Sequence, residues 1–155
     1  MGEPSESERF VRVLSPAVRQ AAAIARALEG TVANEPKDEP SAVKAALTVA
    51  DTAAQEAVLV PLYDAFPDVS LEAEEDTETA ALFGSDSRSL VVVDPIDGTL
   101  HSYLNALGPY AVMVGFAVDD RYEAALVGLP REGVFLDAVR GGVARRARVR
   151  ATPKP

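Results

Sequence analysis

The sequence predicts an α+β domain in which two N-terminal helices pack on a mostly antiparallel sheet. The N-terminal part of the chain, as far as residue 65, holds two Ala-rich segments of helical character. The part that follows is rich in short apolar runs separated by turn residues, a pattern typical of strands. With 155 residues, 48% hydrophobic and 25% charged, the chain has the size and composition of one globular domain with a proper core.

The first helix is predicted from Ser15-Pro16, which has the form of a cap followed by proline at the first helical position. The apolar face continues to Glu29, and Gly30 is the predicted stop, because glycine adopts the left-handed conformation common at helix ends. Residues 6–14 extend the pattern upstream. A continuous helix kinked at Pro16 is therefore the second interpretation.

A loop is predicted over residues 31–46, which contain two prolines and several charges. The second helix is predicted from residue 52 to residue 65, with Pro61 removing one internal hydrogen bond. Thr48 or Asp51 would cap this helix, because a threonine or aspartate oxygen accepts the free amides of the first turn.

The remaining elements are predicted to be short strands, with one helical turn over residues 79–82. Turn signals such as Asp119-Asp120 and Gly141-Gly142 separate the later strands. The predicted strands cover residues 69–73, 90–93, 111–118, 122–129, 134–139 and 144–149.

The run Asp94-Pro95-Ile96-Asp97-Gly98-Thr99 directly follows the strand at 90–93. Because proline cannot extend a strand ladder, the chain is expected to turn at Pro95. Gly98 allows a positive φ or a close approach of the backbone to a ligand. Two carboxylates three residues apart on a sharp turn are unfavourable without a cation between them, and hard divalent cations take carboxylate and carbonyl oxygens. The run therefore predicts a divalent metal site.

A second acidic cluster, Glu72-Ala73-Glu74-Glu75-Asp76, follows Val69-Ser70-Leu71, which begins the strand predicted at 69–73. If this strand and the strand before Asp94 are neighbours, Glu74 and Asp94 lie at adjacent strand ends and can share a metal. A solvated loop is the alternative for an isolated acidic run. The metal interpretation is favoured because the run from Asp94 to Thr99 is present in the same chain.

The charge and composition of the chain exclude several other classes. The net charge is −9, but residues 140–155 carry +6 and no acid, so the remainder carries −15. An acidic body argues against nucleic acid as the main partner, and the Arg-rich end is interpreted as the exposed face of an edge strand. There is no cysteine, which excludes thiolate chemistry. No secretory signal is visible and no apolar run could span a bilayer, so the expected location is cytoplasmic, without a membrane partner.

These elements together resemble the lithium-sensitive sugar-phosphatase superfamily that contains inositol monophosphatase and fructose-1,6-bisphosphatase. The matching pieces are Thr48-Val49-Ala50-Asp51, Phe66-Pro67, Glu74-Glu75 and the run from Asp94 to Thr99. Their order and separation also match. The resemblance extends from about Phe10 to Val149, nearly the whole chain, and leans toward the inositol monophosphatase branch.

The resemblance implies a Mg²⁺ site formed by Glu74, Asp94, Asp97 and the carbonyl oxygen of Ile96. Metals at such sites polarise phosphoryl oxygens and lower the pKa of bound water. Glu75 would be a more distant neighbour or simply solvated. The expected substrate is a small phosphorylated metabolite.

The resemblance also assigns the catalytic residues Thr99, Asp51 and Glu74. The Thr99 hydroxyl would position the attacking water, and Asp51 would accept from that hydroxyl and orient it. The backbone amides of Gly98 and Thr99 would hold phosphate oxygens at a helix N-terminus. Lys37 is a doubtful match to a lysine of the family, and His101 has no visible partner for acid/base catalysis.

Family members continue into a second α/β domain that supplies another metal-binding Asp, usually after a Trp. This chain has no Trp and ends at Pro155, so residues 1–155 are interpreted as the N-terminal, metal-binding domain alone. The expected function is Mg²⁺-dependent phosphate monoester hydrolysis of reduced rate. A weak metal- and phosphate-binding module, or a subunit completed by another chain, are the alternatives. Exposed apolar surface is expected around Val91, Val93 and residues 111–118, which leaves a homodimer open.

Overall fold

The chain forms two long helices followed by one sheet of six strands. The structure is a computed structural model that describes residues 2–33, 40–98, 103 and 108–149. A short 3₁₀ turn lies at Ala80–Leu82, where a helical turn is predicted. The elements are α1 (Glu6–Ala33), α2 (Pro40–Ala65), β1 (Ser70–Ala73), β2 (Ser89–Asp97), β3 (Ala111–Val118), β4 (Arg121–Leu129), β5 (Val134–Val139) and β6 (Arg145–Arg148).

The strands lie in the sheet in the order of the sequence, from β1 to β6. β1 and β2 run parallel, and every later neighbouring pair is antiparallel. The parallel pair needs a crossover, and the polar segment with the 3₁₀ turn supplies it. The predicted α+β class and mostly antiparallel sheet are confirmed.

The core lies between the two helices and one face of the sheet. Phe10 of α1 stacks on Phe116 of β3 with 4.8 Å between ring centroids, and it also meets Phe66 after α2. Val91 and Val93 are buried against this layer. The expectation of exposed apolar surface at Val91, Val93 and residues 111–118 is therefore wrong. The period of two along a strand directs Val91 and Val93 toward the helices, and no residue of 111–118 is exposed.

Helix α1 is continuous from Glu6 through Pro16 to Ala33, so the continuity given by the second interpretation is confirmed. The hydroxyl of Ser15 donates to the carbonyl of Val11 at 2.7 Å, inside the helix rather than at its start. Gly30 is not the stop, and its φ is not in the left-handed region. Tertiary contacts of Glu29, described below, hold the last turns where the local pattern predicts an end.

Helix α2 begins at Pro40, twelve residues before the predicted start at Thr52. The loop predicted over residues 31–46 is therefore wrong for residues 31–33, which belong to α1, and for residues 40–46, which belong to α2, while residues 34–39 lie outside the described part. Thr48 and Asp51 lie inside the helix, so neither is its cap. The Thr48 hydroxyl bonds instead to the carbonyl of Lys44 at 2.9 Å. Proline is compatible with the first turn of a helix, which explains the early start.

Strand β2 does not end at Pro95. It continues to Asp97, which pairs with Ala111, and the register shifts between Asp94 and Asp97. Proline is tolerated in a sheet at such an irregularity, where no ladder hydrogen bond is required of its nitrogen. The turn comes later, at Gly98, with a φ of 88°.

Candidate metal and phosphate site

Glu74 and Asp94 are brought to the same edge of the sheet by β1 and β2. Ala73 of β1 pairs with Val93 of β2 in the parallel ladder. Glu74 and Asp94 directly follow these two residues and therefore lie next to each other. The two carboxyl groups interact by charge and by a hydrogen bond between them. The expected proximity of Glu74 and Asp94 is thus present, but Asp94 lies inside β2 rather than at its predicted end, because the strand continues to Asp97. Among the described residues, no group of three His, Cys, Asp or Glu side chains could hold a metal ion.

Asp94 is held in an environment that disfavours its charged form. Burial, the negative charge of Glu74, the hydrogen bond with Glu74 and the charge of Asp97 raise the pKa of Asp94 to about 7, and a backbone hydrogen bond from Ile96 opposes the rise. Its Oδ1 is buried and has no hydrogen-bond partner within the described residues. The Asp94 carboxyl group therefore lies among other acidic side chains, and no described protein atom forms a hydrogen bond with its Oδ1.

Helix α2 adds Asp51 to the same cluster. Asp51 is only 8% exposed, and its Oδ1 is likewise without a partner in the described part of the chain. Burial, followed in order by the negative charges of Glu75, Glu74 and Asp94, raises the pKa of Asp51 to about 7. Glu75 therefore acts on Asp51 electrostatically, and its place as a more distant neighbour of the metal or a solvated residue stays a prediction.

Gln55 is a residue of this region to which sequence reasoning assigned no role. Its side chain is fully buried, accepts from the backbone N–H of Glu75 at 2.9 Å and donates to the carbonyl of the same residue at 2.7 Å. A further contact reaches Thr77 at 3.3 Å. Gln55 therefore ties the acidic segment after β1 to α2. The available signal was its position four residues after Asp51, which places both on one helix face.

Glu56 contributes another carboxylate on α2. Thr79 donates a hydrogen bond to its Oε2, while Oε1 is buried without a partner among the described residues. This contact holds the 3₁₀ turn against α2.

The donor set at this edge fits a hard divalent cation. Asp51 and Asp94 have buried carboxylate oxygens without a partner among the described residues, and with the exposed Asp97 they provide the ligand type that Mg²⁺ prefers. A cation bound by both Glu74 and Asp94 would replace the hydrogen bond that joins these two carboxyl groups. Thr99, Lys37 and His101 lie outside the described residues, so their predicted roles stay predictions.

The sequence matches the model of the inositol monophosphatase family over residues 6–152. The chain therefore belongs to the inositol monophosphatase family. Two curated relatives are named Nus factor SuhB. The one from Pasteurella multocida is 33% identical over 95 residues, covering 61% of this chain and 34% of the relative. The one from Haemophilus influenzae is 30% identical over 104 residues, covering 67% and 38%.

Solved structures share the fold. The extragenic suppressor protein SuhB from Bartonella henselae superposes with a TM-score of 0.70 at 23% identity, over 94% of this chain and 55% of that one. CysQ from Bacteroides thetaiotaomicron gives 0.71 at 21%, over 91% and 49%. The chain thus spans about a third of the curated relatives and about half of the solved ones. In the described residues, no helix is long and apolar enough to cross a membrane.

Proposed function

We propose that this chain is a Mg²⁺-dependent phosphate monoester hydrolase of the inositol monophosphatase type, with water as the nucleophile. The observation that carries the proposal is the pair of buried carboxylate oxygens on Asp51 and Asp94 that have no hydrogen-bond partner among the described residues, together with the neighbouring exposed carboxylate of Glu74. Perturbed carboxylates clustered at one edge of a sheet are typical of a functional site. Membership of the family supports the same chemistry.

The proposed ligands are Glu74, Asp94, Asp97 and the carbonyl oxygen of Ile96. Bound Mg²⁺ would polarise the phosphoryl oxygens and stabilise the leaving oxygen. It would also favour the ionised forms of the carboxyl groups that the metal-free chain disfavours, since a nearby opposite charge lowers a carboxyl pKa.

The proposed catalytic residues act on the water and the phosphate. Ionised Asp51 would accept a hydrogen bond from the Thr99 hydroxyl, and that hydroxyl would orient the attacking water. The backbone amides of Gly98 and Thr99 would hold phosphate oxygens. Gly98 suits this role because its positive φ allows a close approach of the backbone to the ligand.

The substrate is proposed to be a small phosphorylated metabolite. Solved structures of SaIMPase-II, which shares the fold, are described with inositol monophosphate and with 2′AMP bound. These compounds belong to two chemical classes, a polyol phosphate and a nucleotide. Phosphate release from inositol 1-phosphate and from 2′-AMP, measured side by side, would separate the two classes for this chain.

Because the chain spans about half of its solved relatives, full activity is proposed to need a second domain or a second copy of the chain. The chain by itself should bind Mg²⁺ at one principal site and turn over well below a complete homologue. Two-metal phosphatases hold both the attacking and the leaving oxygen, which one site cannot do. A compact monomer that binds two Mg²⁺ ions tightly and turns over at ordinary phosphatase rates would overturn this part.

The test of the metal site is a Mg²⁺ titration by calorimetry on a matched pair of variants. Glu74→Gln should weaken Mg²⁺ binding at least tenfold, whereas Glu75→Gln should weaken it less. An equal or larger loss in Glu75→Gln would transfer the ligand role from Glu74 to Glu75. If wild-type protein neither binds Mg²⁺ nor releases phosphate from any substrate, the proposed function is wrong.

A further inference from the structure

A second buried carboxylate, Glu29, lies near the end of α1, and cationic partners contact it directly. Arg131 donates two hydrogen bonds to the Oε1 atom of Glu29, from its Nε at 2.8 Å and from its Nη2 at 2.5 Å. Arg26 donates to Oε2 at 2.6 Å, and the Tyr110 hydroxyl donates to the same oxygen at 3.2 Å. The Glu29 side chain is 11% exposed and that of Arg131 16%, so water screens this ion pair only weakly.

Arg131 connects three parts of the fold. It lies in the turn between β4 and β5, it pairs with Glu29 of α1, and it donates to the carbonyl of Gly108 just before β3. Its guanidinium also lies over the ring of Tyr110, 5.1 Å from the centroid. A planar fork with several fixed donors can make such contacts at once, whereas a lysine ammonium cannot reproduce them.

Tyr103 carries this network to the end of the acidic run. Its ring meets Tyr110 edge-on with 4.8 Å between centroids, and its hydroxyl donates to the carbonyl of Ala25 at 2.8 Å. Its backbone N–H donates to the carbonyl of Gly98 at 3.2 Å. Gly98 is therefore tied through Tyr103 to both α1 and Tyr110.

We propose that Glu29 and Arg131 are positioning residues that hold Tyr103, and through it Gly98, in the geometry required for phosphate binding. This inference rests on the proposed function for its catalytic consequence. Asp94 is held independently, since β2 pairs with β3 at Met113. The network should thus affect the phosphate-binding turn and leave the metal ligands of β2 largely unaffected.

The test compares two substitutions of the same kind. Arg131→Lys removes the two guanidinium hydrogen bonds to buried Glu29. Arg88→Lys removes two guanidinium hydrogen bonds to Asp119, which is exposed and lies at the opposite end of the strands. Tyr110→Phe removes one hydroxyl from the network and keeps its ring, so it serves as a milder variant if Arg131→Lys folds poorly. All measurements are made well below the melting temperature of each variant.

The first readout is amide hydrogen exchange of Tyr103 by NMR, which needs no activity. Exchange of this amide should accelerate at least tenfold in Arg131→Lys, and to a smaller extent in Tyr110→Phe, while the amides of β2 paired with β3 stay as protected as in the wild type. Arg88→Lys should leave the Tyr103 amide unchanged. Equal exchange in all four proteins would overturn the inference.

The second readout separates phosphate binding from metal binding. In Arg131→Lys the Kd for Mg²⁺ should stay within about twofold, whereas affinity for inorganic phosphate and turnover should fall about tenfold or more, since a displacement of 1 Å costs up to about 10²-fold. Faster exchange with unchanged phosphate affinity would overturn the catalytic role. A wild-type chain that binds neither ion overturns the proposed function and that role together, while the exchange comparison still decides whether the network holds Tyr103.

Discussion

Asp51 and Glu29 are both buried carboxylates on helices, yet their surroundings have opposite effects on them. For both, burial is the largest influence, and it raises the carboxyl pKa. At Asp51 the neighbouring charges are acidic and add to the rise, which brings its pKa to about 7. At Glu29, hydrogen bonds and charges from Arg131 and Arg26 outweigh burial and hold the pKa below its ordinary value.

The comparison shows how an acid that stabilises the fold, such as Glu29, differs from an acid proposed to serve a function, such as Asp51. The Glu29 network contains its own cations and both carboxylate oxygens have partners, so it stabilises the fold as it stands. The Asp51 cluster contains oxygens without a partner in the described part of the chain, together with neighbouring acids, an arrangement that disfavours the charged metal-free state. Such a cluster makes physical sense when a cation is the missing member. Each prediction below tests one side of this contrast.

The largest effect is expected on turnover. Asp51→Asn should reduce phosphate release roughly 10²–10⁴-fold, the range typical of a positioned proton-transfer group. Thr99→Ala should show a loss of similar size, and the double variant little more, because the two residues are proposed to act as a unit. Steady-state kinetics with saturating Mg²⁺ measure this. Near-normal rates in either single variant would leave that residue without a catalytic role.

The next effect concerns stability at the other carboxylate. Glu29→Gln should lower the free energy of unfolding by roughly 3–5 kcal/mol, the usual cost of breaking a buried ion pair and leaving its partner unpaired. Urea unfolding in the presence of chelator measures it. A loss as small as that of an exposed pair would show that the network is more hydrated than its burial indicates.

The opposite sign is expected for Asp51 in the metal-free chain. Asp51→Asn should raise the free energy of unfolding at pH 8 by about 1–3 kcal/mol, because it removes a buried charge with acidic neighbours. Mg²⁺ should then stabilise the wild type more than the variant. If Asp51→Asn destabilises the metal-free chain, the residue has a structural partner and the contrast with Glu29 fails.

The stability of the metal-free chain should depend on pH, and the pKa shifts of its carboxyl groups determine the direction of the change. Asp51 and Asp94 have pKa values of about 7 in the folded chain and ordinary values of 3.8, so between these limits the folded state binds more protons. Metal-free stability should therefore fall as pH rises through this window, by at most about 1.4 kcal/mol per pH unit for each carboxyl group. Glu29 acts in the opposite sense: its contribution is lost as pH falls below its ordinary range. Thermal melts in chelator from pH 4 to 8 measure both, and a flat profile would contradict the first.

The smallest effect is expected at the exposed pair of Arg88 and Asp119. Arg88→Lys should leave the melting temperature unchanged within measurement, because solvent screens this ion pair and holding two long side chains offsets the gain. It is the matched control for Arg131→Lys. A clear loss of stability would mean that the guanidinium fork matters even in solvent, and would weaken the case for burial as the deciding factor.

Much of the fold could be predicted from local patterns. The strands at 111–118 and 134–139 were predicted with correct bounds, since period, turn residues and β-branched composition agree there. The predicted start of α2 was wrong by twelve residues because Pro40 was interpreted as part of a loop, although proline is equally compatible with a first helical turn. Pro95 was similarly misjudged, because a register shift that accommodates proline depends on the partner strand.

The acidic runs, the order of the elements and the family can be recognised in the amino-acid sequence, since these depend on residue type and spacing along the chain. Three contacts become visible in the folded chain alone: Glu74 with Asp94, Gln55 with the backbone of Glu75, and Glu29 with Arg131. The last pair is 102 residues apart. The strength of a carboxylate's charge depends on burial and on which cations lie beside it, and neither is set before distant segments pack together.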